Sequence, residues 1–487
     1  MNEQHSSDTQ ARPSAPAQAG ETGVTSTVET PAEALPARRI SRAGVLRGAT
    51  MLAAGTVSAA TLAACGGSQG AGQPAGGVGQ APVRLQMFNQ AGDQQTIDDW
   101  TKMMAPFTEK YPHVTFDIGG PAAGVQFVDR ALTFGAGGTP PDITYSVTRN
   151  GPTIFEGGLT QDMSTIVKRE KIDLKDVSKP VLENFDWKGK MLALPYDPGY
   201  AFVEYNKSLF EQAGVPDPGT LWAEKKWDWN AFVQSATAFA RASTPDQQRH
   251  AFTLQNWEGD YVSFVRSLGG DLLDKDRTKL ALGDGPSVAA LNMWAELSTK
   301  HKVATPIGAG PTGLFNSGSL AMYSSHPGNI RPIQKYVKDN GAQWTWDVVP
   351  HPAPAGKRPA PVLFTNGLYL WRGIASEGPA VEALKFLMTD DSMLRYGALT
   401  GRDPARTSLI SQQMKNLGIP ENDPKTYLKL YQELTNDVRG LPWTVNYVEW
   451  HTIVQQQILA PISKGEKSVQ EAVSAAAPAV NAILARK

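Results

Sequence analysis

The chain of 487 residues contains a single cysteine, Cys65, so it can form no intrachain disulfide and no thiolate cluster for a metal. It carries no Gly-x-x-x-x-Gly-Lys-Ser/Thr motif, which excludes ATP hydrolysis of the P-loop type. The seven histidines, at 5, 113, 250, 301, 326, 351 and 451, show no His-x-x-x-His or glutamate-flanked spacing, and neither a metal nor any other cofactor is expected. Neither sign of charge dominates. With 46 Lys and Arg against 47 Asp and Glu, no net field draws nucleic acid or acidic lipid, and a neutral partner is the simpler expectation. The one Gly-x-Ser-x-Gly, at residues 66–70, lies in a Gly-rich tract without the strand and helix that a nucleophile elbow requires. Long apolar runs are scarce too. The uncharged stretch 48–64 is built mainly from Ala, Gly, Thr and Ser with few large side chains, short and weakly hydrophobic for a stable membrane span.

What is present begins with an address. Residues 1–36 are rich in Gln, Ser, Thr, Ala and Pro without apolar periodicity, a composition that cannot bury enough surface to order itself. Arg38 and Arg39 precede the weakly apolar run, and residues 37–64 read as a signal peptide of the twin-arginine kind, with Ser41 departing from that pattern and ordinary Sec export as the alternative. Leu62-Ala63-Ala64-Cys65-Gly66 resembles the bacterial lipobox, in which the cysteine is lipidated and becomes the mature N-terminus. Two or more acyl chains would anchor it stably. The tract 65–81 reads as a flexible linker, tethering a soluble body at the outer face of the cytoplasmic membrane.

The body alternates strand and helix patterns. Residues 82–88 alternate as a strand; Ile97, Trp100, Met104 and Phe107 follow at helical spacing; residues 114–118 alternate again; a helix-like stretch 127–134 and a short strand 141–146 come next. That order predicts an α/β architecture with a largely parallel sheet. Near the C-terminus Val469, Ala472, Val473, Ala476 and Val480 mark a closing helix.

Several phrases follow one another in a set order: Gly135-Ala-Gly-Gly-Thr-Pro-Pro-Asp-Ile143, Leu194-Pro-Tyr-Asp197, Val203-Glu-Tyr-Asn-Lys-Ser-Leu-Phe210, Gly318-Ser-Leu-Ala-Met-Tyr323 and Gly401-Arg-Asp-Pro-Ala-Arg406. Together, over residues 82–487, they resemble family 1 of the extracellular solute-binding proteins, the group of the maltose- and glycerol-phosphate-binding proteins. The resemblance implies a two-lobed periplasmic-binding-protein fold of the class II type, with a ligand cleft between lobes joined by hinge crossovers. Lobe one is expected at 82–203 plus 364–408, lobe two at 204–363 plus 409–487. It also implies a monomer that is not an enzyme, takes a sugar or oligosaccharide, and hands it to ABC permease subunits in the membrane. Two rival readings are an exported carbohydrate-active hydrolase, for which Asp197 and Glu258 would be the acid pair, and a surface sensor or adhesion lipoprotein of the same fold.

Ligands of open α/β sheets bind beyond the strand C-termini, and those loops carry Asn89 and Gln90, Thr148 and Arg149, and Tyr196 and Asp197. A sugar needs groups that donate and accept, together with flat apolar faces. The resemblance adds Trp257 and Glu258, then His326 where the family's Gly-Pro-Trp turn lacks its aromatic here. It further adds Asn366 and Gly367 at the second crossover, Arg402 after Thr-Gly, and Trp443. Arg406 is expected in a structural ion pair. The ordinary alternatives are core packing for Trp257 and Trp443, and turn roles for His326 and Asn366.

Overall fold

The computed structural model describes residues 81–122, 126–243, 249–341, 343–418, 430 and 438–486. The expected N-terminal extension, signal, Cys65 and nearly all of the linker lie outside them. Among the described residues no helix is long and apolar enough to cross a membrane.

The chain opens with β1 (Val83–Asn89), α1 (Gln94–Lys110), β2 (Val114–Gly119), α2 (Phe127–Gly137) and β3 (Ile143–Val147). Asp93 starts α1 by accepting from the Thr96 amide at 2.9 Å, which satisfies one of the amides that a helix N-terminus leaves open. Trp100, Met103, Met104 and Phe107 then form the buried stripe of α1, the spacing that lays one helical face on a sheet. Further on come β4 (Leu194–Tyr200), β5 (Phe202–Asn206), α3 (Glu258–Ser267), β6 (Met322–Ser325), α4 (Ile330–Asp339), β7 (Trp346–Val349), β8 (Val362–Leu370), α5 (Asp390–Thr400), β9 (Arg439–Gly440), α6 (Tyr447–Ile453) and α7 (Val469–Leu484).

One sheet has the order β9-β8-β3-β1-β2, with β4 also paired to β8. β1 runs parallel to β2 and β3, whereas β8 is antiparallel to β3 and β4. A second sheet has the order β6-β5-β7 and is antiparallel throughout. Two large cores serve the two sheets, with Phe202 of β5 and Val348 of β7 joining the first. The first holds Leu85, Trp100, Ile143 and Tyr369; the second holds Tyr205, Phe252, Trp294, Trp450 and the buried stripe of α7. α7 starts with a capping box between Ser468 and Glu471, two reciprocal bonds that fix where the helix begins.

Core membership changes within β5 and within β8. Phe202 belongs to the first core and Val203 to the second; Val362 belongs to the second and Leu363 to the first. Ile410, Met414, Leu417, Leu430 and Val438 still bury in the first core, and only from Leu441 does the chain join the second. The physical reason is the apolar face that these residues turn to lobe one: Gln413 bonds back to the Arg402 carbonyl at 3.1 Å, and β9 pairs with β8 before the chain leaves.

Candidate functional site

The strand ends of lobe one and the helix starts of lobe two border a cavity of about 480 Å³, within the roughly 300–1,000 Å³ common for small-molecule sites. Eight of the residues singled out from the sequence line it: Gln90, Arg149, Asp197, Trp257, Glu258, His326, Asn366 and Arg402.

The other five do not, and for Asn89 and Tyr196 alternation along a strand is the reason. Neighbouring side chains of an extended chain point to opposite sides, so of Asn89 and Gln90, and of Tyr196 and Asp197, only one member reaches the cleft, whereas Thr148 and Arg149 part in a tight 3-10 turn and Asn366 and Gly367 at a register shift of β8. Gln90 lines it, while Asn89 is buried at the end of β1. Arg149 lines it, while Thr148 turns inward and donates to the Thr365 carbonyl at 2.8 Å. Asp197 lines it, while Tyr196 packs on Trp100 and Tyr396. Asn366 lines it, while a Cβ on Gly367 would lie 2.5 Å from the Phe185 ring, so Gly367 serves close packing of β8 instead. The fifth, Trp443, is a core residue whose indole donates to Asn184 at 2.8 Å. Arg406 makes its structural ion pair, with Asp390.

On lobe one a chain of hydrogen bonds holds the polar groups in place. The amide of Val147 donates to Gln90 at 2.9 Å, Gln90 Nε2 to Asn366 Oδ1 at 3.4 Å, and Asn366 Nδ2 to Asp197 Oδ1 at 2.6 Å. Tyr145 donates to Asp197 Oδ2 at 2.7 Å and itself accepts from Tyr396 at 2.7 Å. Arg402 Nη1 reaches Asp197 Oδ1 at 3.3 Å. Gly401, with φ at +80°, ends α5 in the left-handed conformation that glycine tolerates and so turns Arg402 out of the helix. Burial raises the Asp197 carboxyl above its ordinary pKa, against the pull of Arg402 and of the Tyr145 and Asn366 donors.

Lobe two and the strand β8 together contribute the aromatic surface. Trp257 caps the start of α3 and lies 4.9 Å from Phe364 at 23°, with His326 5.4 Å away. The His326 ring accepts from the Gly328 amide through Nδ1 at 3.1 Å, which leaves the neutral ring its proton on Nε2. Burial, reinforced by Arg402, pushes this imidazole down to about 3. Glu258, first residue of α3, accepts from Tyr447 at 2.8 Å and lies 3.5 Å from His451. Burial works to raise its carboxyl, yet His451, Arg149, its own helix amide and Tyr447 outweigh that and lower it. His451 is lowered by its own burial, with Glu258 opposing, and Tyr261 bonds its Nε2 at 2.8 Å.

Phe364, Tyr447 and His451 also line the cleft, and sequence reasoning misses all three. Phe364 shares the period-2 face of β8 with Asn366, a signal present in the sequence but masked by its apolar neighbours. Tyr447 and His451 stand at i, i+4 on α6, so one helical face presents both. Together the walls offer carboxylates, guanidinium groups, amides and a neutral imidazole beside flat rings, which suits a ligand with many hydroxyls and apolar faces.

A model of the bacterial extracellular solute-binding protein family matches residues 102–422. An uncharacterized lipoprotein of Streptomyces antibioticus is 22% identical over 294 residues, which cover 59% of this chain and 62% of that relative's length. Among solved structures, a Thermotoga lettingae ABC transporter solute-binding protein bound with α-D-tagatose is 21% identical with a TM-score of 0.70, covering 82% of this chain and all (100%) of that one. A Listeria monocytogenes ABC substrate-binding protein in complex with cycloalternan is 17% identical with a TM-score of 0.70, covering 83% and 100%. At these identities the likeness shows the two-lobed fold.

Proposed function

The chain belongs to the bacterial extracellular solute-binding protein family, and from that premise we propose that it captures a sugar or oligosaccharide in the cleft and delivers it to the permease of an ABC importer. The observation that carries the reading is the stacked pair Trp257 and Phe364 beside the Asp197, Asn366 and Gln90 network. The rings suit the C–H face of a pyranose, and the network suits its hydroxyls. Sugar-bound structural relatives agree with this choice. Ligand contacts drawn from both lobes stabilise the closed form only to the extent that the open form lacks them. In this reading the signal at 37–64 exports the chain, lipid on Cys65 holds it at the outer face of the cytoplasmic membrane, and the protein works as a monomer.

Binding without turnover fits the carboxylates better than hydrolysis does. A glycosidase needs one acid protonated and turned to the glycosidic oxygen. Burial raises the Asp197 carboxyl, but both its oxygens are already engaged, Oδ2 by Tyr145 and Oδ1 by Asn366 and Arg402, and Glu258 is lowered rather than raised. The test is a thermal-shift screen of the chain lacking residues 1–64 against mono- and oligosaccharides, polyols and glycerol phosphates, with product analysis of each hit. A saccharide that raises Tm and is recovered intact supports the receptor; a saccharide that is consumed overturns it in favour of an enzyme.

A further inference from the structure

The cleft does not end at Arg402. A second cavity of about 1270 Å³ shares Gln90, Gly328 and Arg402 with the first and extends between α1 of lobe one and α4 of lobe two. Its walls are held by direct contact between the lobes. Gln334 of α4 donates to the Leu417 carbonyl at 2.8 Å, and Gly401 approaches α4 so closely that a Cβ there would lie 2.7 Å from that of Arg331. The surface repeats the chemistry of the first chamber, with Gln95, Thr96, Lys102 and Asn340 as polar groups and the half-buried rings of Tyr336 and Trp346 as apolar ones. The guanidinium of Arg402 stands at the junction, directs one donor at Asp197, and has others to offer.

Size separates the two chambers in meaning. The first alone is adequate for a small ligand, whereas the second exceeds the roughly 300–1,000 Å³ of ordinary small-molecule pockets. We infer that the second chamber receives the distal units of an elongated oligosaccharide whose first unit sits against Trp257, so that the preferred solute is an oligosaccharide rather than a monosaccharide. This rests on the saccharide reading above.

The experiment is calorimetric titration of gluco-, galacto- and xylo-oligosaccharide ladders, from disaccharide to hexasaccharide, into the wild-type protein and into Tyr336→Ala and Lys102→Ala. In at least one ladder Kd should fall about tenfold or more from the shortest to the longest member, and either variant should erase that gain while changing disaccharide binding by less than about twofold. Lys102 is exposed, so the second variant keeps the test sound if the first folds poorly. Disaccharide binding with no gain on lengthening overturns the second chamber and leaves the saccharide reading intact, as does a loss in the variants that is equal for short and long ligands. Binding of monosaccharides alone also overturns the second chamber and leaves the saccharide reading intact; absence of binding to every ladder member and to every saccharide of the thermal-shift screen overturns both.

Discussion

Trp257 and Phe364 stack with ring centroids 4.9 Å apart and planes 23° from parallel, which couples the first turn of lobe two's α3 to the hinge strand β8. The platform therefore depends on how the lobes sit about the hinge. Trp257→Ala should weaken binding of the cognate saccharide about tenfold or more, roughly 1.4 kcal/mol. The loss of Tm should be small, because the ring is only half-buried. Isothermal titration beside a melting curve checks this, and a Kd within about twofold of wild type would remove Trp257 from the site.

Gly259 gives an independent handle on the same ring. A Cβ at that position would lie 2.3 Å from the Trp257 indole Cη2, although a glycine-to-alanine change inside a helix ordinarily stabilises by about 0.5–1 kcal/mol. The two effects have opposite signs. Gly259→Ala should fail to raise Tm and should weaken binding about as much as Trp257→Ala. A higher Tm with unaltered affinity would mean that the indole has room to move and is not fixed by the helix start.

Asp197 and Arg402 form the ion pair of the cleft wall, with the carboxylate side chain 2% exposed and the guanidinium side chain 29%. Removing one partner of a buried pair costs about 3–5 kcal/mol, and the partial exposure of Arg402 puts Arg402→Ala at the lower end of that range. Adding Asp197→Asn removes the stranded charge and should recover part of the loss in urea unfolding. A double variant no more stable than Arg402→Ala would show that Asn366 and Tyr145 suffice to hold the carboxylate.

How much of this is legible in the sequence follows from which physical signals are local. The strand and helix periods of residues 83–147 and the stripe of α7 can be read directly, because each element buries one face. The cleft loops are legible as loops, but not which member of a pair such as Tyr196 and Asp197 faces the ligand. That depends on strand phase, and β8 even shifts register between Asn366 and Gly367. The sequence favours Trp443 over Tyr447 because an aromatic in a polar segment gives no sign of depth; only the bond to Asn184, 259 residues away in sequence, makes it core. That residues 410, 414 and 417 bury in the first core is hidden for the same reason, since their apolar side chains suit either core until the sheet order is known.

Glu204 carries the clearest pH signature. It lies in the middle of β5, opposite Tyr323 of β6 and Val348 of β7, with 0% exposure. Burial pushes its carboxyl up to about 7, with the Tyr323 and Ser325 hydroxyls pulling the other way. The unfolded chain releases this proton near pH 4.5, whereas the folded chain keeps it until about 7. Stability must therefore fall as pH rises through that window, by about 3 kcal/mol in total, and be flat on either side as far as this group is concerned. His326 and His351 act oppositely: pushed down to about 3 by burial, they cost stability as pH falls below their ordinary value of 6.5. The whole-protein profile mixes these contributions, so the difference between wild type and Glu204→Gln is the quantity to measure. By chemical denaturation, the variant should gain about 3 kcal/mol on wild type between pH 4.5 and pH 8. Parallel stability curves would mean that Glu204 titrates in the fold as it does in water.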